Sequence, residues 1–215
     1  MRRAILDIGY NAIRTVVYEN ENIGAPELLN IKFKNDILSL LESESIDIKH
    51  QTYLNIQYFL HIFKNLEVKH IECVATEVLR NHKRSDEFIK YMQKKFDLEI
   101  KVISGQNEAE LSALGLMVGV PGASGIAADL GGGSLELVEI HNNQIGNRQS
   151  FALGTKVVLS RNITTQEQII EEVRTKIWNN NYDNLYFIGG SLRFLARVYI
   201  DYNPPLKNLH NLEIP

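Results

Sequence analysis

The sequence predicts an α/β protein made of two copies of one α/β unit. Short apolar runs with strand character alternate with longer amphipathic stretches of helical period. An acid followed by a glycine turn, Asp7-Ile8-Gly9, returns as Asp129-Leu130-Gly131, an offset of 129 − 7 = 122 residues. At that offset Val16 meets Val138, Asn20 meets Asn142, Ile23 meets Ile145 and Gly24 meets Gly146, with Ile8/Leu130 and Ile13/Leu135 as apolar matches. These matches fall in one gapless window, the mark of a duplicated unit. The glycine-rich stretch Val118–Ser124 is the expected boundary, dividing the chain into 1–120 and 121–215. No linker or low-complexity tract separates the halves, so they are expected to pack around a cleft.

Arg3–Ile8 and Ile13–Tyr18 are apolar runs joined by Gly9-Tyr10-Asn11-Ala12, which reads as two strands and a turn. Lys49–Leu66 has helical spacing, with Leu54, Tyr58, His61 and Ile62 on one stripe, and with Tyr53, Tyr58, Phe59 and Phe63 expected in the core. His70–Ala75 is a strand that buries Cys73. Ser85 is placed to cap a helix running to Lys95, with Asp86 and Glu87 favourable at its positive start. Leu98–Ile103 reads as a strand, Gln106–Met117 as a helix, and Gly125–Ala128 and Leu135–Ile140 as strands. Thr164 and Glu167 form a capping box before a helix ending near Trp178, which is placed to pack beneath the last glycine turn. Leu185–Ile188 is the last strand, and Gly189-Gly190-Ser191 opens another helix.

Composition narrows the function. The 215 residues are 44% hydrophobic and 23% charged, values of an ordinary globular chain. Twenty-three basic against 26 acidic residues give a net charge of −3, so no general positive field exists to hold a nucleic acid duplex. Any anion must be bound locally. One cysteine forms no internal disulfide, and the six histidines show no zinc-like spacing, so a reducing, cytoplasmic setting is expected. Asp7 interrupts the apolar stretch after Met1-Arg2-Arg3, and the uncharged run Leu111–Ala128 is broken by four glycines and Pro121. Neither export nor a membrane partner is expected.

The strongest local signal is Asp129-Leu130-Gly131-Gly132-Gly133-Ser134 between two strands. Three glycines let successive N–H groups converge on one point, an anion nest that side chains would block. Ser134 adds a hydroxyl donor. Asp129 is of the type that holds a hydrated Mg²⁺ together with phosphate oxygens. The plainer alternative is a structural glycine hairpin with a solvated aspartate, and the repeat at Asp7 weighs against it. Two such turns facing one cleft would grip adjacent phosphates. Arg14 and Arg80, both near strand ends, are candidates for the counter-charge, the alternative being ordinary surface arginines.

Five ordered motifs carry a resemblance. They are Asp7-Ile8-Gly9-Tyr10-Asn11-Ala12-Ile13-Arg14, Ala75-Thr76-Glu77-Val78-Leu79-Arg80, Ile103-Ser104-Gly105-Gln106-Asn107-Glu108-Ala109, Asp129 to Val138, and Gly189-Gly190-Ser191. In this order they resemble the exopolyphosphatase/guanosine pentaphosphate phosphatase (Ppx/GppA) family, from about Arg3 to Ile214 and including Pro205–His210. The resemblance implies the duplicated actin/hexokinase/Hsp70-like (ASKHA, ribonuclease H-like) fold with an interdomain cleft. It also implies Mg²⁺-dependent release of terminal phosphate from inorganic polyphosphate or guanosine pentaphosphate. By motif position Glu108 is the catalytic carboxylate, and Asp7, Asp129 and Glu136 serve the metal. Gly9, Asn11, Arg14, Arg80, Gly131, Gly132, Gly133, Ser134, Gly189, Gly190 and Ser191 hold phosphate.

Some positions depart from the family pattern. Tyr10 and Ala12 stand where small hydroxyl residues are usual, Gln106 and Asn107 where acids are common, Glu77 where a small or hydroxyl residue is usual, and Asn81 where an aspartate is common. The chain is shorter than family members generally are, and a homodimer is expected to cover the apolar surface this leaves. Three readings compete: the hydrolase, a weak or inactive member that binds guanosine tetra- or pentaphosphate, polyphosphate or a partner protein, and a kinase or carbamoyl-type transferase of the same fold.

Overall fold

The computed structural model describes residues 1–43, 50–178 and 181–203. Pro205–His210, which shares in the family resemblance, lies outside these residues. The chain forms two compact units, Met1–Ser104 and Gly105–Pro215. The division falls ahead of the helix Gly105–Gly119, whereas the glycine signals had pointed to its far end.

In the first unit β1 (Arg3–Ile8), β2 (Ala12–Tyr18) and β3 (Glu27–Lys34) form an antiparallel meander, with β4 (His70–Ala75) parallel to β1 and β5 (Ile100–Val102) parallel to β4. The order is β3-β2-β1-β4-β5. Strand period 2 sorts the side chains: Ala4, Leu6 and Ile8 enter the core while Asp7 faces the other side. Cys73 is buried in the interior strand β4, where burial and the charge of Asp7 push its thiol pKa up, so it is an inert core residue. Helix α1 (Ile37–Glu42) follows β3; neither element stood out in the sequence.

Helix α2 (Gln51–Asn65) buries Thr52, Tyr53, Asn55, Ile56, Phe59 and Phe63. The stripe read from sequence is its outer face, with Leu54 44% and Tyr58 50% exposed. The helix is apolar on most sides, so its period cannot choose the inward face; stacking of Phe59 on Phe33 and the contacts of Tyr53 with Phe88 and Tyr91 do. After α3 (Glu77–Arg80), α4 (Ser85–Phe96) begins at Ser85, which is the first helical residue rather than the cap; Arg84 holds the cap position.

The second unit repeats the plan. After α5 (Gly105–Gly119), β6 (Gly125–Leu130), β7 (Leu135–His141) and β8 (Gln144–Phe151) form the meander, and β9 (Leu185–Ile188) lies parallel to β6, in the order β8-β7-β6-β9. The repeat holds at the level of pairing. Asp7 faces Arg14 and Ile8 faces Ile13; 122 residues on, Asp129 faces Glu136 and Leu130 faces Leu135. The turn bond from Gly9 N to Ala12 O is matched by that from Gly131 N to Ser134 O, both 3.0 Å. The match ends at the next hairpin. Asn142 and Asn143, both at positive φ, make a two-residue turn that suits strand twist, while residues 19–26 form a longer loop. Ile23 is therefore a fully exposed loop residue and Ile145 a strand residue, so the later identities are not structural equivalents.

Helix α5 lays Ala109 and Ala113 on Ala127, Val138 and Ile140. On the sheet's other face Ile126, Ala128, Leu137, Phe151 and Leu153 form a second cluster, against which Val158, Val173 and Trp178 pack. Trp178 thus belongs to this cluster rather than to the last glycine turn. Helix α6 (Thr155–Ser160) precedes α7 (Gln166–Arg174), whose capping box is Thr165 with Gln168, one residue later than the sequence motif. Helix α8 is Gly190–Tyr202. Among the described residues β9 has no counterpart of β5 on its outer edge, and none of their helices is long and apolar enough to cross a membrane.

Candidate active site

In the second unit, directly opposed residues of antiparallel strands share a sheet face. The register therefore sets Asp129 (β6), Glu136 (β7) and Ser150 (β8) in one row on the face covered by α5. Glu136 is only 2% exposed, and its Oε1 accepts a hydrogen bond from Ser150 Oγ at 2.7 Å. Asp129 Oδ2 accepts one from Ser112 Oγ at 2.6 Å. Ser112 lies on α5 one turn after Glu108, and residues four apart stack on one helix face. The Ser112 contact thus brings the Glu108 side of α5 to the strand end that carries Asp129. Glu108 is half-buried in the helix's first turn.

The glycine turn is held from behind. Gly133, Gly132 and Gly131 accept backbone bonds from Gly154 (3.2 Å), Lys156 (2.9 Å) and Thr155 (3.0 Å). In a trans peptide the next N–H points opposite the carbonyl. The amides of Gly132, Gly133 and Ser134 therefore project away from α6, and among the described residues none of the three donates a backbone bond. Gly132, Gly133 and Ser134 are buried, and buried donors seek an acceptor, so the turn suits an anion. Gly154 packs so closely that a Cβ there would stand 2.3 Å from the Gly133 carbonyl carbon.

The third glycine turn meets the same carboxylate. Pairing of Asp129 with Ile188 puts Gly189 next to it. Gly189 has φ +97°, and a Cβ would stand 2.8 Å from Asp129 Oδ1. Gly190 and Ser191 open α8, whose first-turn amides add a positive helix end beside this turn. The second unit thus gathers Asp129, Glu136, Gly131–Ser134 and Gly189–Ser191 at one end of its sheet, and Glu108 stands one turn before Ser112 on α5.

The first unit holds Asp7, Gly9, Asn11, Arg14 and Arg80 in a different setting. Asn35 ties down the turn, its Nδ2 donating to Gly9 O at 2.9 Å and its N to Asn11 O at 3.0 Å. Arg14, opposite Asp7, is exposed and gives its Nε to Asn30 Oδ1 at 3.0 Å. Arg80 closes the short helix that begins at Glu77. Tyr10 packs its ring against the core, and burial together with the charges of Glu77, Glu42 and Asp36 raises its pKa. Three carboxylates thus lie within electrostatic reach of the Tyr10 hydroxyl. A cavity of about 510 Å³ in this unit, lined by Leu41, Glu42, His82, Arg84 and Glu87 among others, contains none of the candidate residues.

Sequence reasoning missed Asn35, Ser112, Ser150 and Gly154. Asn35 and Gly154 each follow the third strand of their meander, a position the repeat could have flagged. Ser112 is signalled only by its i+4 spacing from Glu108. Counting back from the Asn142-Asn143 turn sets Gln149 opposite Glu136; an irregularity between Val138 and Ile140 shifts the pairing to Ser150.

Two α/β units with the same strand plan and an acid at the end of each first strand define the actin/hexokinase/Hsp70-like class. Similar solved structures agree. A Ppx/GppA family member from Aquifex aeolicus aligns with TM-score 0.74 at 20% identity, over 95% of this chain and 71% of that one. An exopolyphosphatase from Cytophaga hutchinsonii aligns with TM-score 0.82 at 21% identity, over 97% and 73%. The ethanolamine utilization protein EutJ from Carboxydothermus hydrogenoformans shares the fold more distantly, with TM-score 0.51 at 14% identity over 91% and 79%. The sequence profile of the Ppx/GppA phosphatase family matches residues 22–211. The chain belongs to the Ppx/GppA phosphatase family, and that membership supports a phosphatase function.

Proposed function

We propose that this chain hydrolyses a terminal phosphoanhydride of inorganic polyphosphate or guanosine pentaphosphate with Mg²⁺. The observation that carries the reading is the second unit's convergence of two opposed acids and two glycine turns on one strand end, with Glu108 one helical turn before the serine that bonds Asp129. The amides of Gly132, Gly133 and Ser134 bind the terminal phosphoryl oxygens, and the Gly190 end of α8 adds donors. Glu108 orients a water and takes its proton as the water oxygen bonds phosphorus and the anhydride P–O bond breaks, the remaining phosphate leaving with that electron pair. In the first unit Arg14 and Arg80 would supply cationic contacts for phosphate oxygens. Phosphate release from polyphosphate, guanosine pentaphosphate and pyrophosphate tests the reading.

The donor chemistry is of the kind Mg²⁺ takes, since that ion is held by one or two carboxylates with phosphate oxygens and water, and Asp129 and Glu136 stand opposed on paired strands. Asp129 and Glu136 would hold it, and Asp7 stands at the corresponding strand position of the first unit. When bound it neutralises phosphate oxygens and polarises the phosphoryl group.

A weak or inactive member that binds without turnover draws on the first turn, where the Tyr10 ring packs against the core and burial, together with nearby Glu77, Glu42 and Asp36, raises its pKa. Removing one charge at this range is worth on the order of 1 kcal/mol, so Tyr10→Ser with Glu77→Gln is expected to tighten pyrophosphate about threefold to tenfold by calorimetry. Unchanged affinity would show that this turn is not the obstacle. A thermal shift with guanosine tetraphosphate, without phosphate release from any substrate, would favour the binding role.

We also infer a homodimer. Leu185 and Phe187 on β9 and Phe194 and Leu195 on α8 are each at least 55% exposed, an apolar surface a second copy would cover. Light scattering is expected to give twice the 24.5 kDa chain mass, and a monomer at every concentration rejects this.

A further inference from the structure

Asp129 presents two unlike oxygens. Oδ2 is taken by the Ser112 hydroxyl at 2.6 Å, and Oδ1 lies against Gly189. Ser112 sits in the interior of α5, flanked by Leu111 and Ala113, where serine is a poorer helix former than alanine. A helical serine commonly bonds the carbonyl four residues back. This one donates instead to a carboxylate 17 residues along the chain. The bond is not needed to seat the helix, because Ala109 and Ala113 already pack on the sheet.

We propose that Ser112 is a positioning residue that makes Asp129 a one-oxygen donor and so biases the site toward Mg²⁺ over Ca²⁺. The inference rests on the reading of Asp129 as a metal ligand. Ca²⁺ takes six to eight oxygens and accepts both atoms of one carboxylate, whereas Mg²⁺ demands near-octahedral geometry and keeps several waters. A hydroxyl on Oδ2 competes with the two-oxygen grip and leaves a one-oxygen contact intact. Removing it returns a ligand atom to Ca²⁺ and gives Mg²⁺ nothing it can use.

Mn²⁺ binding followed by electron paramagnetic resonance, with displacement by Mg²⁺ and by Ca²⁺, tests this on the full chain. Ser112→Val and Ser112→Thr have nearly the same shape and differ in the hydroxyl, so this pair controls for packing should Ser112→Ala fail to fold. Wild type and Ser112→Thr should favour Mg²⁺. Ser112→Ala and Ser112→Val should shift the ratio of displacement constants toward Ca²⁺ by about fivefold, the worth of one hydrogen bond. A merely structural serine would lower the melting temperature and leave that ratio alone, which overturns the proposal. Mn²⁺ binding that survives Asp129→Asn places the ion elsewhere and also overturns it. Absence of Mn²⁺ binding by wild type removes the metal reading itself and this inference with it, whereas binding with an unshifted ratio removes this inference alone.

Discussion

Glu108→Gln is expected to fold as wild type does and to lose phosphate release, by about 10²- to 10⁴-fold, the usual worth of a positioned general base. Glutamine keeps the volume and helix propensity of glutamate, so the first turn of α5 is preserved, at a cost of about 0.3–1 kcal/mol in lost helix-dipole interaction. Ser112 and its bond to Asp129 lie one turn further on and are untouched. Phosphate binding at Gly131–Ser134 should persist, because the amides of the turn do not depend on Glu108. The assay is phosphate release across the substrate panel, with thermal shift by pyrophosphate as the binding control. Equal release by wild type and variant would remove Glu108 from the catalytic role.

Gly154→Ala should cause a large loss of stability for a single added methyl. The backbone there is extended, with φ −65° and ψ 156°, so the effect is steric rather than conformational. The added Cβ would meet Gly133 C at 2.3 Å and Gly132 C and O at 2.4 Å, backbone atoms that cannot swing aside. The turn must move off α6, weakening the bonds to Gly131, Gly132 and Gly133 and spreading the amides on its other side. Overpacking of this kind costs about 1–3 kcal/mol, or roughly 2–12 °C in melting temperature for a chain of this length. The pyrophosphate shift should vanish with it. Gly115→Ala on α5 is the control: apart from its own helix backbone and chain neighbours nothing lies within 4 Å of an added Cβ, and it should stabilise by about 0.4–1 kcal/mol. Equal melting of the two variants would show that Gly154 does not support the turn.

The strands were legible in the sequence where period and punctuation agree. β1, β4 and β9 are apolar runs ended by turns or glycines, and their bounds match the reading residue for residue. β3 did not stand out, although Leu29, Ile31 and Phe33 alternate with Asn30, Lys32 and Lys34 at the period of a half-buried strand; none of its residues is fully buried, and its run is short of the continuous apolar character that marks β1. Of the α2 aromatic residues expected in the core, Tyr53, Phe59 and Phe63 are buried and Tyr58 is half exposed, because aromatic residues ring that helix. The capping box slipped by one because Thr164 and Thr165 both have an acid or amide three residues on, and only backbone geometry chooses between them.

By itself the sequence determined the duplicated plan, the acids Asp7 and Asp129 at the ends of paired strands, and the glycine turns after them. These are local features, set by side-chain period and by the conformations that glycine alone permits. Only the tertiary structure decided that Ser112 meets Asp129, that Gly154 backs the turn, that Ser150 rather than Gln149 faces Glu136, and that Tyr10 packs against the core. Such contacts join residues far apart in the chain. They depend on how closely a helix of small residues can approach a sheet and on one irregularity in strand pairing, neither of which leaves a periodic trace in the sequence.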